Sequence, residues 1–221
     1  MGKPIVGILM GSDSDLPIMQ EAAAMLQEFG IEYEMTIASA HRTPKKVLEY
    51  SQSAEKRGLK IIIAGAGWAA HLAGVIASQT TLPVVGVPLD SSPLKGIDAL
   101  LATAQMPGGV PVATMALGKV GAKNAGVFAA QVIALNDVKV ANRLKVFKVE
   151  MERDVEEKSK RLAALNAVIM PKAQKEPAAV TPKAQKELEE DGAIVPAKKK
   201  SRRRRWKKKP GGSTPAQEPT L

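Results

Sequence analysis

Through residue 135 the chain alternates a short β-rich apolar run with a stretch of helical periodicity, five times over. The runs are Ile5–Met10, Ile31–Ser39, Leu59–Ala64, Leu82–Pro88 and Val110–Leu117. The helical stretches between and after them are Leu16–Phe29, Pro44–Arg57, Ala69–Gln79, Pro93–Ala104 and Ala122–Leu135. Every connection is too long for a hairpin, so the strands are expected to run parallel, joined by right-handed crossovers. Leu59–Ala64 is apolar at nearly every position, the pattern of a strand covered on both faces.

This order predicts an α/β fold: a three-layer, doubly wound parallel sheet of the flavodoxin-like kind. A barrel would need eight such units. Local signals agree. Gly30 and Gly58 follow helical stretches as C′ residues, and Thr43-Pro44 reads as an N-cap followed by proline at the first helical position. From about Asn136 to Ala167 one long, charged helix is expected, with Val138, Ala141, Leu144, Phe147, Met151, Leu162, Leu165 and Val168 forming an apolar stripe. Such a helix suits an arm on a neighbouring subunit or a solvated extension. Beyond Met170 the sequence is rich in Pro, Lys, Glu and Ala, and Pro171-Lys172-Ala173-Gln174-Lys175-Glu176 recurs at Pro182–Glu187. Too little apolar surface is present there to offset the entropy of ordering. Three regions are therefore expected: an α/β domain over 1–136, a helical arm over 137–168, and a disordered basic tail over 169–221.

The net charge of +10 is local. The run 198–209 holds ten basic residues around Trp206 and no acid, and without it 22 basic residues balance 22 acidic ones. The body is neutral, and the basic excess says nothing about its ligand. Cations flanking an indole suit phosphate neutralisation with base stacking, so nucleic acid is a possible partner of that run. A purely solubilising tail explains the run equally well. The absence of cysteine excludes disulfides and thiolate chemistry, and with only two histidines the composition argues against a zinc site. No stretch approaches the roughly 20 apolar residues of a membrane span, and no signal-peptide pattern opens the chain. A soluble, cytoplasmic protein is expected.

Those two histidines, His41 and His71, each follow a strand-like run. Ligands of open α/β sheets bind beyond the carboxyl ends of the strands. A third loop, Gly11-Ser12-Asp13-Ser14-Asp15, follows the first run to the same edge. Its hydroxyls and helix-start amides suit a phosphate, and its carboxylates suit a ribose diol; Ser and Asp here also serve simply as helix caps. In Ser39-Ala40-His41-Arg42-Thr43-Pro44, Arg42 precedes a helix start where an anion is favoured, and His41 can transfer protons; the alternative is a capped surface turn. Gly65-Ala66-Gly67-Trp68-Ala69-Ala70-His71-Leu72 permits close backbone approach to a flat ligand but lacks the dinucleotide-binding glycine spacing. His71 there also reads as a satisfied histidine in a first helical turn. The Pro/Gly loop Gln105–Pro111 either closes over a ligand or is a tight connection.

Taken in order, Met10–Asp15, Ser39–Pro44, Ala64–Gly67 with Ala69–Leu72, Gly86-Val87-Pro88 and Gln105–Thr114 strongly resemble the N5-carboxyaminoimidazole ribonucleotide mutase family of purine biosynthesis, the catalytic subunit of phosphoribosylaminoimidazole carboxylase. The resemblance spans about residues 3–140. It implies a homo-octameric isomerase that uses no metal or organic cofactor and moves a carboxylate from the exocyclic nitrogen of an aminoimidazole ribonucleotide to ring carbon C4. It implies that Ser12, Asp15 and Arg42 bind the nucleotide, with Ser39 beside them. His41 would be the general acid/base, and Gly67, Ala70, His71 and Leu72 would line the pocket for the carboxylate or transient carbon dioxide. Direct carboxylation of aminoimidazole ribonucleotide, or an impaired octameric scaffold, are the competing activities. The chain departs from the family at Trp68, where a second glycine is usual, and at Ala73, where proline is usual. An indole at 68 would block the pocket, restrict the loop or face another subunit.

Overall fold

The computed structural model describes residues 2–169. The expected disorder of the tail and its basic run concern residues beyond these. Five strands form one parallel sheet: β1 (Val6–Met10), β2 (Tyr33–Ile37), β3 (Ile61–Ala66), β4 (Val84–Pro88) and β5 (Ala113–Thr114), in the order β2-β1-β3-β4-β5. The helices are α1 (Leu16–Glu28), α2 (Pro44–Arg57), α3 (Leu72–Ala77), α4 (Ile97–Ala104), α5 (Gly118–Ala134) and α6 (Val138–Ile169), and a short 3-10 turn, Asp13–Asp15, precedes α1. This is the flavodoxin-like arrangement, and its strand order reverses beside β1.

Strand alternation builds a core on each side of the sheet. Val6, Ile8 and Met10 of β1, Ile61 and Ile63 of β3 and Val85 and Val87 of β4 point to the face covered by α1 and α5. Leu9, Ile62, Ala64 and Val84 point to the other face, under α2 and α3. Each central strand is thus apolar on both sides, which is why the runs read as continuous. Helices α1 and α5 pack closely because α5 is rich in Ala and Gly. A Cβ at Gly126 would lie 2.7 Å from the Ala22 carbonyl oxygen and 2.8 Å from the Met25 Cβ. Gly126→Leu is therefore expected to destabilise the protein by several kcal/mol, on the order of 3. Denaturant unfolding measures it, and an unchanged midpoint would show the two helices to be loosely apposed.

Several boundaries differ from the expected ones. Thr43 does precede α2, but its hydroxyl does not cap the helix: it accepts from the Ser39 amide at 2.9 Å and donates to the Ser39 carbonyl at 3.2 Å. Helix α4 starts at Ile97 rather than Pro93, because Gly96 takes a left-handed φ of 84° and Lys95 one of 52°. The fifth strand is two residues long: Val110 is turned back to the Pro107 carbonyl, and Pro111 has no amide to give the sheet. Helix α3 begins three residues later than its Ala-rich sequence suggests, with consequences for the site below.

Helix α6 starts where Asp137 caps it, accepting from the amides of Lys139 and Val140 at 2.9 and 3.2 Å. Its first turns dock on the core. Val140 is buried, and Phe147 meets Phe29 edge-to-face at 5.4 Å. Beyond, Met151, Val155, Leu162 and Leu165 continue the stripe but stay exposed. Spaced i,i+4 pairs, Arg153–Glu157, Asp154–Lys158 and Glu157–Arg161, line this part. Each contributes only about 0.3–0.5 kcal/mol. Among the described residues no helix is long and apolar enough to cross a membrane.

Candidate active site

The carboxyl ends of β1, β2, β3 and β4 open on one cavity of about 600 Å³. Four loops line it. Gly11, Ser12, Ser14 and Asp15 come from the loop after β1; Ser39, Ala40, His41 and Arg42 from the loop after β2; Ala66, Gly67, Trp68, Ala69, His71 and Leu72 from the end of β3 and the loop after it; and Ser91 follows β4. Of the residues singled out from the sequence, Ser12, Asp15, Ser39, His41, Arg42, Gly67, His71 and Leu72 converge here. Ala70 does not line the cavity; it is buried behind the loop. Ser91 was missed. The only signal for it was its place after a central strand, at the same edge.

The first loop is organised around Asp15. Its carboxylate accepts from the Ser12 amide at 3.0 Å, and the residue is almost wholly buried. Burial pushes its carboxyl above the ordinary carboxylate value of 3.8, against the pull of the Ser12 and Gly11 amides, the Ser14 hydroxyl and the Arg42 charge. The folded protein thus holds a proton on Asp15 more readily than the unfolded chain. The stabilisation this gives is fully present below pH 3.8 and is lost as pH rises through the folded value. At neutral pH the ionised group is a net cost, which makes it a candidate for a ligand-binding role. Asp13 behaves oppositely: the Ser12 hydroxyl and the Ser14 amide donate to it and hold its carboxyl below the usual value.

Arg42 ties the second loop to the first, donating to the Gly11 carbonyl at 2.7 Å. Its own amide donates to the Ser39 hydroxyl at 3.2 Å. One guanidinium nitrogen is thereby fixed, and the group sits on the cavity wall among Ser12, Ser14 and Ser39, the donor set an anionic ligand needs. The two histidines meet across the cavity, with His41 Nε2 and His71 Nδ1 2.9 Å apart and the ring planes at 83°. Among the described residues no three His, Asp or Glu side chains converge as a metal-ligand set. The arrangement can bind a polar, anionic molecule and move protons on it.

The late start of α3 is what lets His71 reach this cavity. Trp68 takes a left-handed φ of 55° just before the segment expected to be helical, and within that segment the His71 amide turns back to the Ala69 carbonyl at 2.8 Å, so the helix starts at Leu72. That φ is cheap for glycine and costs a tryptophan roughly 1–3 kcal/mol. The indole is 59% exposed at the rim and leaves the cavity open. Ala73 occupies the second position of α3, where proline is tolerated. Trp68→Gly is expected to leave ligand affinity within about threefold and stability within about 0.5 kcal/mol of the parent or above it. A tenfold loss of affinity by calorimetry would make the indole part of the binding surface.

Residues 5–154 match the sequence model of a family described as AIR carboxylase. Among similar curated proteins, the N5-carboxyaminoimidazole ribonucleotide mutase of Thermotoga maritima is 56% identical over 159 residues, 72% of this chain and 92% of that protein. The protein of the same name from Pyrococcus horikoshii is 55% identical over 160 residues, 72% of this chain and 89% of its own length. That of Bacillus subtilis is 50% identical over 160 residues, 72% of this chain and 99% of its own. Among solved structures, Treponema denticola PurE superimposes with a TM-score of 0.66 at 30% identity, covering 72% of this chain and 98% of that one. The parallel sheet with its four-loop cavity and these matches lead to one conclusion: the chain belongs to the AIR carboxylase family.

Proposed function

We propose that the chain is a mutase of purine biosynthesis, converting N5-carboxyaminoimidazole ribonucleotide to 4-carboxy-5-aminoimidazole ribonucleotide. The relatives at 50–56% identity carry that name, and nearly their whole length is matched. The observation that carries the reading is the convergence of His41 and Arg42 with the Ser12–Asp15 loop in one cavity. In this reading Ser12, Asp15, Ser39 and Arg42 hold the nucleotide. His41 gives a proton to the exocyclic nitrogen as the carbamate C–N bond breaks, releasing carbon dioxide. Ring carbon C4 then attacks carbon dioxide, forming the C–C bond, and His41 takes the C4 proton. One imidazole serves both transfers, and no net proton is consumed. Gly67, His71 and Leu72 line the space for the carboxylate, with Ala70 behind them.

Purified protein offered N5-carboxyaminoimidazole ribonucleotide, and separately aminoimidazole ribonucleotide with bicarbonate, tests this. Conversion of the first at the higher kcat/KM is expected. Preference for the second makes the chain a direct carboxylase, and turnover of neither leaves a scaffold.

The exposed stripe of Met151, Val155, Leu162 and Leu165 supports assembly, with α6 as an arm on a neighbouring copy in a homo-octamer. A cytoplasmic setting fits a pathway enzyme. The basic run 198–209 supports affinity for nucleic acid, separate from catalysis. Truncation after Met170 is expected to keep octamer and turnover and to remove a salt-sensitive RNA affinity. Dissociation of the octamer on truncation, seen by light scattering, would overturn that division.

A further inference from the structure

His41 and His71 are the only histidines in the chain, and the fold brings them from loops 30 residues apart to 2.9 Å. Their contact joins Nε2 of His41 to Nδ1 of His71, and among the described residues it is the only side-chain hydrogen bond either ring makes. Such a contact needs one donor and one acceptor. Two neutral imidazoles supply them in two ways. If His41 Nε2–H donates to His71 Nδ1, both rings carry the proton on Nε2, the tautomer a free neutral imidazole favours. The reverse direction forces both rings into the disfavoured Nδ1–H form.

The surroundings do not compete with this choice. The other ionisable groups lining the cavity among the described residues are Asp15 and Arg42. Asp15 is engaged with the Ser12 amide and Arg42 with the Gly11 carbonyl, and neither bonds to an imidazole. The backbone of His71 is fixed at the start of α3, its amide bonded to the Ala69 carbonyl at 2.8 Å and its carbonyl to the Val75 amide at 2.9 Å. His71 also borders a second groove, lined by Gly74, Val75, Leu101 and Met106, where Ser78 and Gln105 are polar but uncharged. The acceptor therefore has a fixed seat and no charged group on its other side.

We propose that His71 is a positioning residue for His41: its Nδ1 accepts from His41 Nε2–H, fixing the ring and leaving His41 Nδ1 as the nitrogen that exchanges protons with the substrate, protonated when it gives to the exocyclic nitrogen and bare when it takes the C4 proton. This rests on His41 being the acid/base of the reaction above. When Nδ1 takes the C4 proton, the Nε2–H donation persists and becomes charge-assisted, so the imidazolium is stabilised without rearrangement.

The test is ring nitrogen NMR on full-length protein labelled with 15N-histidine, without ligand, at a pH where both rings are neutral. Two histidines give two spin systems, assigned by the His71 variants. His41 is expected as the Nε2–H tautomer in the parent and in His71→Asn, whose side-chain oxygen stands where Nδ1 was. In His71→Leu a mixture of tautomers is expected. Kinetically, His71→Leu is expected to lower kcat about tenfold or more with KM within about twofold, and His71→Asn to restore most of it. An Nδ1–H or mixed His41 in the parent overturns the proposal without any variant, as does a His71→Asn that matches His71→Leu in both readouts. If the parent shows the expected tautomer but converts no ribonucleotide, the functional reading fails and the hydrogen-bond assignment stands.

Discussion

His41→Asn is expected to abolish measurable turnover, a loss of at least 10²–10⁴ in kcat, while ligand affinity stays within about tenfold. The asymmetry follows from the site. Asparagine is near in size and keeps a polar atom near the position of Nδ1, but it cannot take and return a proton. In the proposed reading binding rests on other groups of the same cavity, the Ser12–Asp15 loop and Arg42, which the substitution does not touch. Stopped assays at saturating substrate, with calorimetry of product binding, separate the two terms. Near-normal turnover would remove His41 from the chemistry.

Arg42→Ala is expected to act on binding instead, weakening it by roughly 1.5–3 kcal/mol, the worth of a charge-assisted hydrogen bond. Some of that loss is indirect. The guanidinium donates to the Gly11 carbonyl, so its removal also loosens the loop that carries Ser12. Arg42→Lys separates the two contributions: it keeps the charge but loses the planar fork. It should recover only part of the affinity. An Arg42→Ala protein with unchanged KM and product affinity would take Arg42 out of the nucleotide site.

The parts of this architecture that were legible in the sequence are those set by local chemistry. Helix α2 runs Pro44–Arg57 as expected, because a proline opens it and Gly58, at φ 100°, closes it. The central strands were legible because each must be apolar on both faces. What the sequence hid depends on backbone states that its residue types do not announce. A tryptophan does not announce a left-handed φ, and the one pointer to it was the glycine usual at position 68 in the resembled family, so the Ala-rich segment read as helix from Ala69 and the loop before Leu72 was not legible. Lys95 and Gly96 shorten α4 in the same way. Ser91 was missed because a lone serine after a strand carries no pattern. The convergence of His41 and His71 was inferable from the sheet-edge rule, but their hydrogen bond was not, since it depends on ring placement to within an ångström.

The exposed indole leaves the cavity open, so a departure at a glycine position changes the backbone energy of the loop more than the space inside it.

The most direct measurement is a crystal structure of His41→Asn soaked with N5-carboxyaminoimidazole ribonucleotide. The account predicts the nucleotide in the four-loop cavity, its phosphate or ribose on Ser12, Asp15 and Arg42. It also predicts the carbamate nitrogen or C4 within about 2.6–3.2 Å of the side chain at position 41, directly or through one water. A saturating soak that leaves this cavity empty, or a nucleotide whose reactive atoms face away from position 41, would contradict it.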